Sequence, residues 1–248
     1  MMKSHKTTQY TIGGTVLIAG IYLLCLNIPR ELFFRYADEG AFGEWAGAIG
    51  LLVGSLLFGY LFIVSKGEEN RFLGRVTQRN IYFLLLALLL FVAFGEEISW
   101  GQRVFGLKVP QSLQQINAQK ELNFHNLWIF QTYNPDGTQK GFWQRMINPN
   151  RLFSIFWFLF CLIVPILDHL SQKAHILFQK MGLPIGPVWI GLLFLANFLI
   201  FHSVIGGLDL ETLDYLDEVK EAIMEILFAM VGVWFFIKRL SVANQIDR

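Results

Sequence analysis

Charged side chains are scarce in this sequence, and cysteines are scarcer still. Asp, Glu, Lys and Arg make up 16% of the 248 residues, whereas soluble domains carry roughly 25%. The hydrophobic share is 54% and the mean hydropathy is +0.46, an excess that lipid has to solvate. Lys and Arg number 20 and Asp and Glu 19, so the net charge of +1 gives no reason to expect a nucleic-acid partner.

The familiar signatures of soluble active sites are also missing. The sequence contains no phosphate-binding glycine loop, no Gly-x-Ser-x-Gly, no Cys-x-x-Cys and no His-Glu-x-x-His. Its two cysteines, Cys25 and Cys161, each lie inside an apolar run, which is more typical of small packing residues than of ligands or disulfide halves. Any chemistry must therefore be sought among the few polar residues near or within the apolar segments.

The apolar runs predict a single all-α integral membrane domain over residues 1–248. A hydrocarbon core of ~30 Å takes about 20 helical residues to cross. On that measure we predict six spans, near 11–28, 41–65, 80–98, 151–168, 187–206 and 219–238. The first of them lacks a small-residue cleavage site after it and is expected to be retained. The long loop 99–150 carries Trp100, Trp128 and Trp143, which suit a membrane interface, and part of 111–130 is expected to lie there as a helix.

Basic residues predict the orientation of these spans. An even number of spans places both termini on one side, together with the loops after spans two and four. Those segments hold most of the basic residues outside the long loop: Lys3, Lys6, Lys66, Arg71, Arg75, Arg79, Lys173, Lys180, Lys238, Arg239 and Arg248. Because positive loops stay inside, we expect both termini to be cytoplasmic, in a multi-pass protein of the cell membrane.

Acidic residues concentrate at the opposite, outer face, which receives all but four of the 19 in this topology. In the last helix, whose apolar part is the sixth span, four of them recur at spacings of four, three and four residues and so share one helical face: Asp214, Glu218, Glu221 and Glu225. Glu225 lies roughly 9 Å inside the span and His202 roughly 6 Å inside the fifth, at 1.5 Å per residue. A carboxylate at that depth needs a proton, a metal, a bound cation or a basic neighbour.

A second polar element ends the third span. It reads Gly-Glu-Glu-Ile-Ser-Trp-Gly-Gln-Arg over 95–103, and Asn-Phe-His-Asn follows at 123–126. Adjacent glutamates on a helix point about 100° apart, so one faces a site while the other takes a hydrogen bond or ion pair. These considerations make Glu96, Glu97, Arg103 and Glu225 candidate catalytic residues. The structural alternative for Arg103 is an ion pair with Glu96.

Carboxylates and imidazoles at similar depth also predict a metal site. The candidate ligands, besides Glu96 or Glu97, are Glu44, His125, His202, Glu221 and Glu225. This ligand chemistry suits Zn, Mn or Fe and the activation of a water nucleophile, and it suits a proton relay equally well. As structural alternatives, His202 donates to a carbonyl within the bundle and His125 organises hydrogen bonds in its loop.

Two resemblances follow from these residues. The 95–103 string with Asn-Phe-His-Asn downstream looks like a signature of uncharacterised bacterial multi-pass membrane proteins, which implies a membrane fold and no known activity. The pair Glu96-Glu97 and the Phe198-x-x-x-His202 match also faintly resemble two motifs of the CPBP intramembrane proteases. The departures from that family are that Arg103 stands two positions late and that Gly206 replaces the Asn or Asp of its third motif.

The sequence thus leads to one favoured function and two alternatives. The favoured one is a membrane-embedded hydrolase at the outer leaflet, in which Glu and His hold a divalent metal or activate water directly. Its substrate would be lipid-linked or a peptide. The alternatives are a proton- or cation-coupled carrier that uses the same acids, and a non-catalytic membrane scaffold with an acidic outer surface.

Overall fold

The computed structural model describes residues 2–29, 31–32, 42–67 and 69–246. Within those ranges, the side chains of residues 2–5, 42, 103, 210 and 242–246 lie outside the described part. The statements below concern the described residues.

The chain is mostly helical. Its helices are α1 (Met2–Asn27), α2 (Phe42–Val64), α3 (Ile81–Glu97), α4 (Gln102–Phe105), α5 (Gln111–Ile116), α6 (Phe142–Met146), α7 (Pro149–Leu170), α8 (Gln172–Met181), α9 (Val188–Val204) and α10 (Leu210–Ile246). A 3-10 turn, Ser99–Gly101, separates α3 from α4, and Phe158–Ile163 is a π-helical stretch within α7. Two short antiparallel strands, β1 (Asn70–Phe72) and β2 (Arg75–Thr77), form a hairpin between α2 and α3.

Local sequence explains where several helices begin. The Asn80 side chain accepts a hydrogen bond from the Phe83 amide at the start of α3, and the Asn148 side chain accepts one from the Arg151 amide at the start of α7. Pro149 follows at a first-turn position, where its missing N–H costs nothing. Polar caps at the ends of apolar runs therefore set these boundaries.

The helix α2 lies between α3 and α10 at the centre of the bundle. Glycines allow the close approach: a Cβ added at Gly50 would lie 3.2 Å from the Ile226 Cα atom in α10. On the other side of α10, α9 packs against α1 and against the π-helical stretch of α7. The Tyr22 hydroxyl of α1 donates to the fully buried Asn197 of α9 at 2.9 Å, which ties the two helices together.

Three helices are long and apolar enough to cross a membrane: Lys6–Asn27, Gly43–Val64 and Pro149–Leu170. Val188–Val204 is apolar but shorter. These findings confirm the all-α class and the membrane character predicted from composition. The predicted spans near 80–98 and 219–238 correspond to α3 and to the middle of α10, and the number of six spans stays a prediction. In the loop 99–150, the helical part of 111–130 is Gln111–Ile116.

Candidate functional site

A cleft of about 370 Å³ opens between α3 and α7, with α10 behind it and the long loop at one end. The polar part of its wall includes Glu96, Glu97, His125, Asn150, Glu221 and Glu225. The rest of the wall is mostly apolar and includes Leu89, Val92, Leu152, Phe153, Phe156 and Met224. The cleft therefore joins an ionisable cluster to a groove that suits hydrocarbon.

A pair of carboxyl groups lies at the back of the cleft. Glu97, at the last residue of α3, and Glu225, within α10, are hydrogen-bond partners through their side chains. Glu225 is 6% exposed, and Glu97 is half-buried. Because a carboxylate only accepts, a hydrogen bond between two carboxyl groups requires a proton on one of them. The pair thus provides one proton donor and one acceptor side by side.

Gly47 in α2 makes room for this pair. A Cβ atom added at Gly47 would overlap Oε2 of Glu225 and would approach the Ala222 Cα atom to 3.1 Å. Only a residue without a side chain lets α2 approach α10 this closely while a carboxyl group lies between them. The position of Glu225 therefore depends on a glycine in a neighbouring helix.

Glu96 has a different environment and holds the long loop. Its Oε1 accepts from the Trp100 indole at 2.6 Å. Its Oε2 accepts from the Phe124 amide at 2.6 Å and the His125 amide at 2.8 Å, and the His125 Nδ1 atom lies 3.2 Å away. With both oxygens engaged in this way, Glu96 acts as a structural clamp that fixes His125 over the cleft.

The two sequence motifs interlock beyond Glu96. The Ser99 hydroxyl donates to Glu121 at 2.6 Å, and the Asn123 amide donates to the same carboxylate at 2.9 Å. The Gln102 side chain accepts from the Leu122 amide at 2.6 Å. Residues 96–102 and 121–125 therefore form one hydrogen-bonded unit, which explains why both strings are rich in side chains that donate and accept.

The backbone of this unit is strained. Ser99 and Trp100 have φ angles of 46° and 50°, a region that residues other than glycine rarely adopt. Trp100 is held there by its bond to Glu96 and by contact with Gly95, where an added Cβ would meet the indole ring at 2.9 Å. Strain of this kind persists only where surrounding contacts impose it, and it clusters at functional sites.

His125 is the imidazole of the cleft, with 28% of its side chain exposed. Burial alone would lower the pKa of His125, but the hydrogen bond to Glu96 and the negative charges of Glu97, Glu96 and Glu221 outweigh burial and raise that pKa. The surroundings therefore favour the protonated imidazole, a hydrogen-bond donor at both ring nitrogens.

The acidic face of α10 continues the cluster toward the loop end. Oε1 of Glu221 accepts from the Asn150 amide of α7 at 3.1 Å. Lys220 is paired with Asp217 and lies 4.0 Å from Glu221. Glu218 is half-buried and close enough to Glu44 and Glu97 for mutual repulsion, whereas Asp214 is exposed. Glu218 therefore belongs to the acidic cluster.

The structure brings most of the predicted site residues together. Glu96, Glu97, His125, Glu221 and Glu225 line the cleft, and Glu44 lies near Glu97 and Glu218. The Arg103 side chain lies outside the described part of the chain. Sequence analysis did not find Gly47, Asn150 or Lys220 as site residues, since nothing in the local pattern of a glycine, an asparagine or a lysine indicates what it faces.

His202 is the predicted ligand that lies elsewhere. Its side chain is exposed, its Nδ1 atom lies 2.8 Å from the Phe198 carbonyl, and its ring packs on Phe198 at 4.1 Å between centroids. The depth estimated from the sequence gave no information on which face of α9 it occupies. The structural alternative, a hydrogen bond to a carbonyl of the bundle, describes its contact.

The predicted metal site stays a prediction. Among the residues that the structure describes, no three His, Cys, Asp or Glu side chains are gathered so that they could hold a metal ion. His202 contacts the Phe198 carbonyl, Glu96 accepts hydrogen bonds from N–H groups, and Glu97 is hydrogen-bonded to Glu225.

Comparison with protein-family models, curated proteins and solved structures found nothing that matches this chain.

Proposed function

We propose that the protein is a membrane-embedded hydrolase whose active site is the cleft between α3 and α7, at the outer-leaflet end of six spans. The observation that carries this proposal is the Glu97–Glu225 carboxyl pair, which lines the same cleft as His125 and an apolar groove. The proposed steps use the carboxyl pair and His125 alone.

The carboxyl pair supplies acid and base together. Two carboxyl groups that share a proton divide into one ionised and one neutral group. The ionised group takes a proton from water as the water oxygen bonds to the substrate carbonyl or phosphoryl centre. The neutral group donates its proton to the leaving oxygen or nitrogen as the scissile bond breaks, so the pair ends with the proton exchanged and charge conserved.

In the proposed reaction, His125 contacts the substrate and stabilises the negative charge that forms on it. Its Nδ1 side faces Glu96, which leaves Nε2 as the ring atom for substrate contact. A protonated imidazole there offsets negative charge that develops on the substrate oxygen during attack. Glu96 acts through His125 and is a positioning residue, whereas Glu97 and Glu225 are the proposed catalytic residues.

The shape of the cleft favours a lipid-linked substrate over a soluble one. Leu89 and Val92 on α3 and Leu152 on α7 are exposed at its rim. In a bilayer such side chains meet acyl chains, so the groove is continuous with the lipid phase. A substrate with a hydrocarbon chain would enter sideways and bring its polar bond to the carboxyl pair. A hydrophobic peptide segment would use the same route.

The carrier alternative has less support. A proton or cation path needs polar or ionisable groups along the whole depth of the membrane. Residues 45–64 of α2, 81–95 of α3 and 226–237 of α10 contain no Asp, Glu, His, Lys or Arg. The three helices that surround the carboxyl pair therefore offer no relay of such groups toward the other face.

Hydrolysis by proteoliposomes tests the proposal. The full chain is reconstituted with lipids that carry ester, amide or phosphodiester bonds and with a lipid-anchored peptide, and products are measured by mass spectrometry. Glu97→Gln and Glu225→Gln should each lower the rate of hydrolysis by about a hundredfold or more, because a general acid or base usually contributes at least that factor. The matched control is Glu69→Gln, an exposed carboxyl that should leave the rate unchanged. A parent protein that cleaves no bond in the panel, or glutamine variants as fast as the parent, would contradict the proposal.

Elemental mass spectrometry of protein purified without chelators distinguishes a metal-free hydrolase from the metal-dependent hydrolase that the sequence predicts. Because the proposed acid–base steps need no metal, we expect no near-stoichiometric Zn, Mn or Fe in the purified protein. Near-stoichiometric metal that is lost in folded His125→Ala or Glu225→Gln variants would instead establish the metal site that the sequence predicts.

A further inference from the structure

A second and larger cavity lies at the opposite end of the bundle. Its volume is about 990 Å³. It is enclosed by the last turn of α2, the first turn of α3, the last turns of α7, the start of α9 and the far part of α10. Nothing in the proposed reaction uses it.

Basic and imidazole side chains line this cavity. Lys238 and Arg239 come from α10, His169 from α7 and His175 from α8. Asp168 is the acidic residue of the wall, and its carboxylate is bound by His175 Nδ1 at 2.9 Å. The imidazole thus partly offsets the charge of Asp168, and the surplus at the cavity is positive. An anionic ligand is therefore complementary to it.

The level of the cavity corresponds to lipid headgroups. The apolar helices α2 and α7 end beside it, and α9 begins there. Where apolar helices end together, the hydrocarbon core ends as well and phosphates begin. The Lys238 ammonium lies 4.9 Å from the centre of the Trp234 ring, an aromatic and a basic side chain combined as at membrane interfaces.

The wall also provides apolar surface for acyl chains. Leu61, Phe83, Val188, Trp234 and Phe235 contribute to it alongside the basic residues. A small soluble anion would use only the charged part, whereas a lipid uses both. A lipid needs only a few charged contacts at its phosphate, so a wall that is apolar elsewhere suits it.

From this juxtaposition we propose that the cavity binds an anionic phospholipid, with its phosphate between Lys238 and His169 and its acyl chains along the apolar wall. Arg239 supports the site from behind, since its guanidinium donates to the Val64 carbonyl at 2.6 Å and ties α10 to the end of α2. The site is independent of the proposed hydrolase, because it lies at the other end of α10.

Native mass spectrometry of the full chain in detergent tests the site. Dioctanoyl phosphatidylglycerol is titrated against dioctanoyl phosphatidylcholine, which has the same chains and no net charge, and against inorganic phosphate. The parent should bind the glycerol lipid more tightly than the choline lipid. Lys238→Gln should weaken binding of the anionic lipid roughly fivefold, the weight of one basic side chain at a lipid surface, and Lys238→Arg should restore it.

Lys173→Gln is the matched control, because Lys173 is an exposed lysine of α8 outside the cavity wall. It removes the same charge and should leave binding unchanged. Equal affinity for the two lipids, an equal effect of Lys173→Gln, or displacement of the lipid by inorganic phosphate at similar concentration would each overturn the proposal. Arg239 is left intact in these variants because of its hydrogen bond to α2.

Discussion

The two ends of α10 carry opposite charge and are built differently. The acidic end, around Glu221 and Glu225, is enclosed by α2 and α3 and is tied to the long loop by hydrogen bonds. The basic end, around Lys238 and Arg239, lines a wide cavity, and Lys238 itself is exposed. From Glu225 to Lys238 the helix rises roughly 20 Å, at 1.5 Å per residue.

The difference shows what burial demands of a charged group. Glu225 is 6% exposed, so its carboxyl group needs a partner in Glu97 and a cavity left by Gly47. Lys238 needs neither, because its ammonium reaches solvent and rests over an indole ring. We therefore expect added volume or lost hydrogen bonds at the acidic end to destabilise the fold, and loss of charge at the basic end to change binding alone.

The largest effect on stability should come from Gly47→Ala. The new methyl group would overlap Oε2 of Glu225, and overpacking of this kind costs about 3 kcal/mol. Thermal unfolding in detergent should show a clear fall in Tm. Gly59→Ala is the matched control in the same helix, since an added Cβ there meets nothing within 4 Å. Equal Tm values for the two variants would contradict the close approach of α2 to Glu225.

Glu96→Gln should have the next largest effect. Glutamine replaces one acceptor oxygen with an amide that faces the N–H groups of Phe124, His125 or Trp100. Loss of hydrogen bonds to a charged acceptor costs about 2 kcal/mol. Hydrogen exchange at the Phe124 and His125 amides should accelerate, while exchange in α9 stays as in the parent. Unchanged protection of both amides would rule out the clamp.

The pH dependence of the loop should be a smaller effect. The pKa of His125 is raised in the folded protein by Glu96, Glu97 and Glu221, despite burial that acts to lower it. The protonated imidazole therefore adds stability that is fully present below the unfolded-state pKa of about 6.5 and is lost as pH rises through the raised pKa. Loop protection should thus decline on passing from pH 6 to alkaline pH, and His125→Gln should remove that slope. A parent slope of the opposite sign would refute the proposed environment.

The smallest effect should come from Lys238→Gln at the basic end. Glutamine at this position loses the contact between the Lys238 ammonium and the Trp234 ring. The free energy of unfolding in lipid-free detergent should therefore change by about 0.5 kcal/mol or less. The Tm of this variant should match that of Lys173→Gln within error. A fall as large as that of Gly47→Ala would show that the basic end is packed like the acidic end and would erase the distinction between them.

Prediction from the sequence succeeded where a linear pattern carries the information. Helix class and the approximate positions of the apolar helices follow from the length of apolar runs, and the shared face of Glu218, Glu221 and Glu225 follows from their spacing. The association of Glu96 and Glu97 with His125 was also expected, and they do line one cleft. His202 was expected beside Glu225 from its depth, but it does not line the cleft. Depth along a helix says nothing about which side of the helix a residue occupies.

By itself, the sequence determined that the protein is an all-α chain with membrane-length apolar helices and unusual acids at helix ends, because composition and period act residue by residue. Tertiary structure alone decided which acids meet. It paired Glu97 with Glu225, assigned Glu96 to the loop and placed Gly47 where a side chain would not fit. Those outcomes depend on the rotation and distance of helices far apart in the chain, which side-chain packing sets and local sequence does not encode.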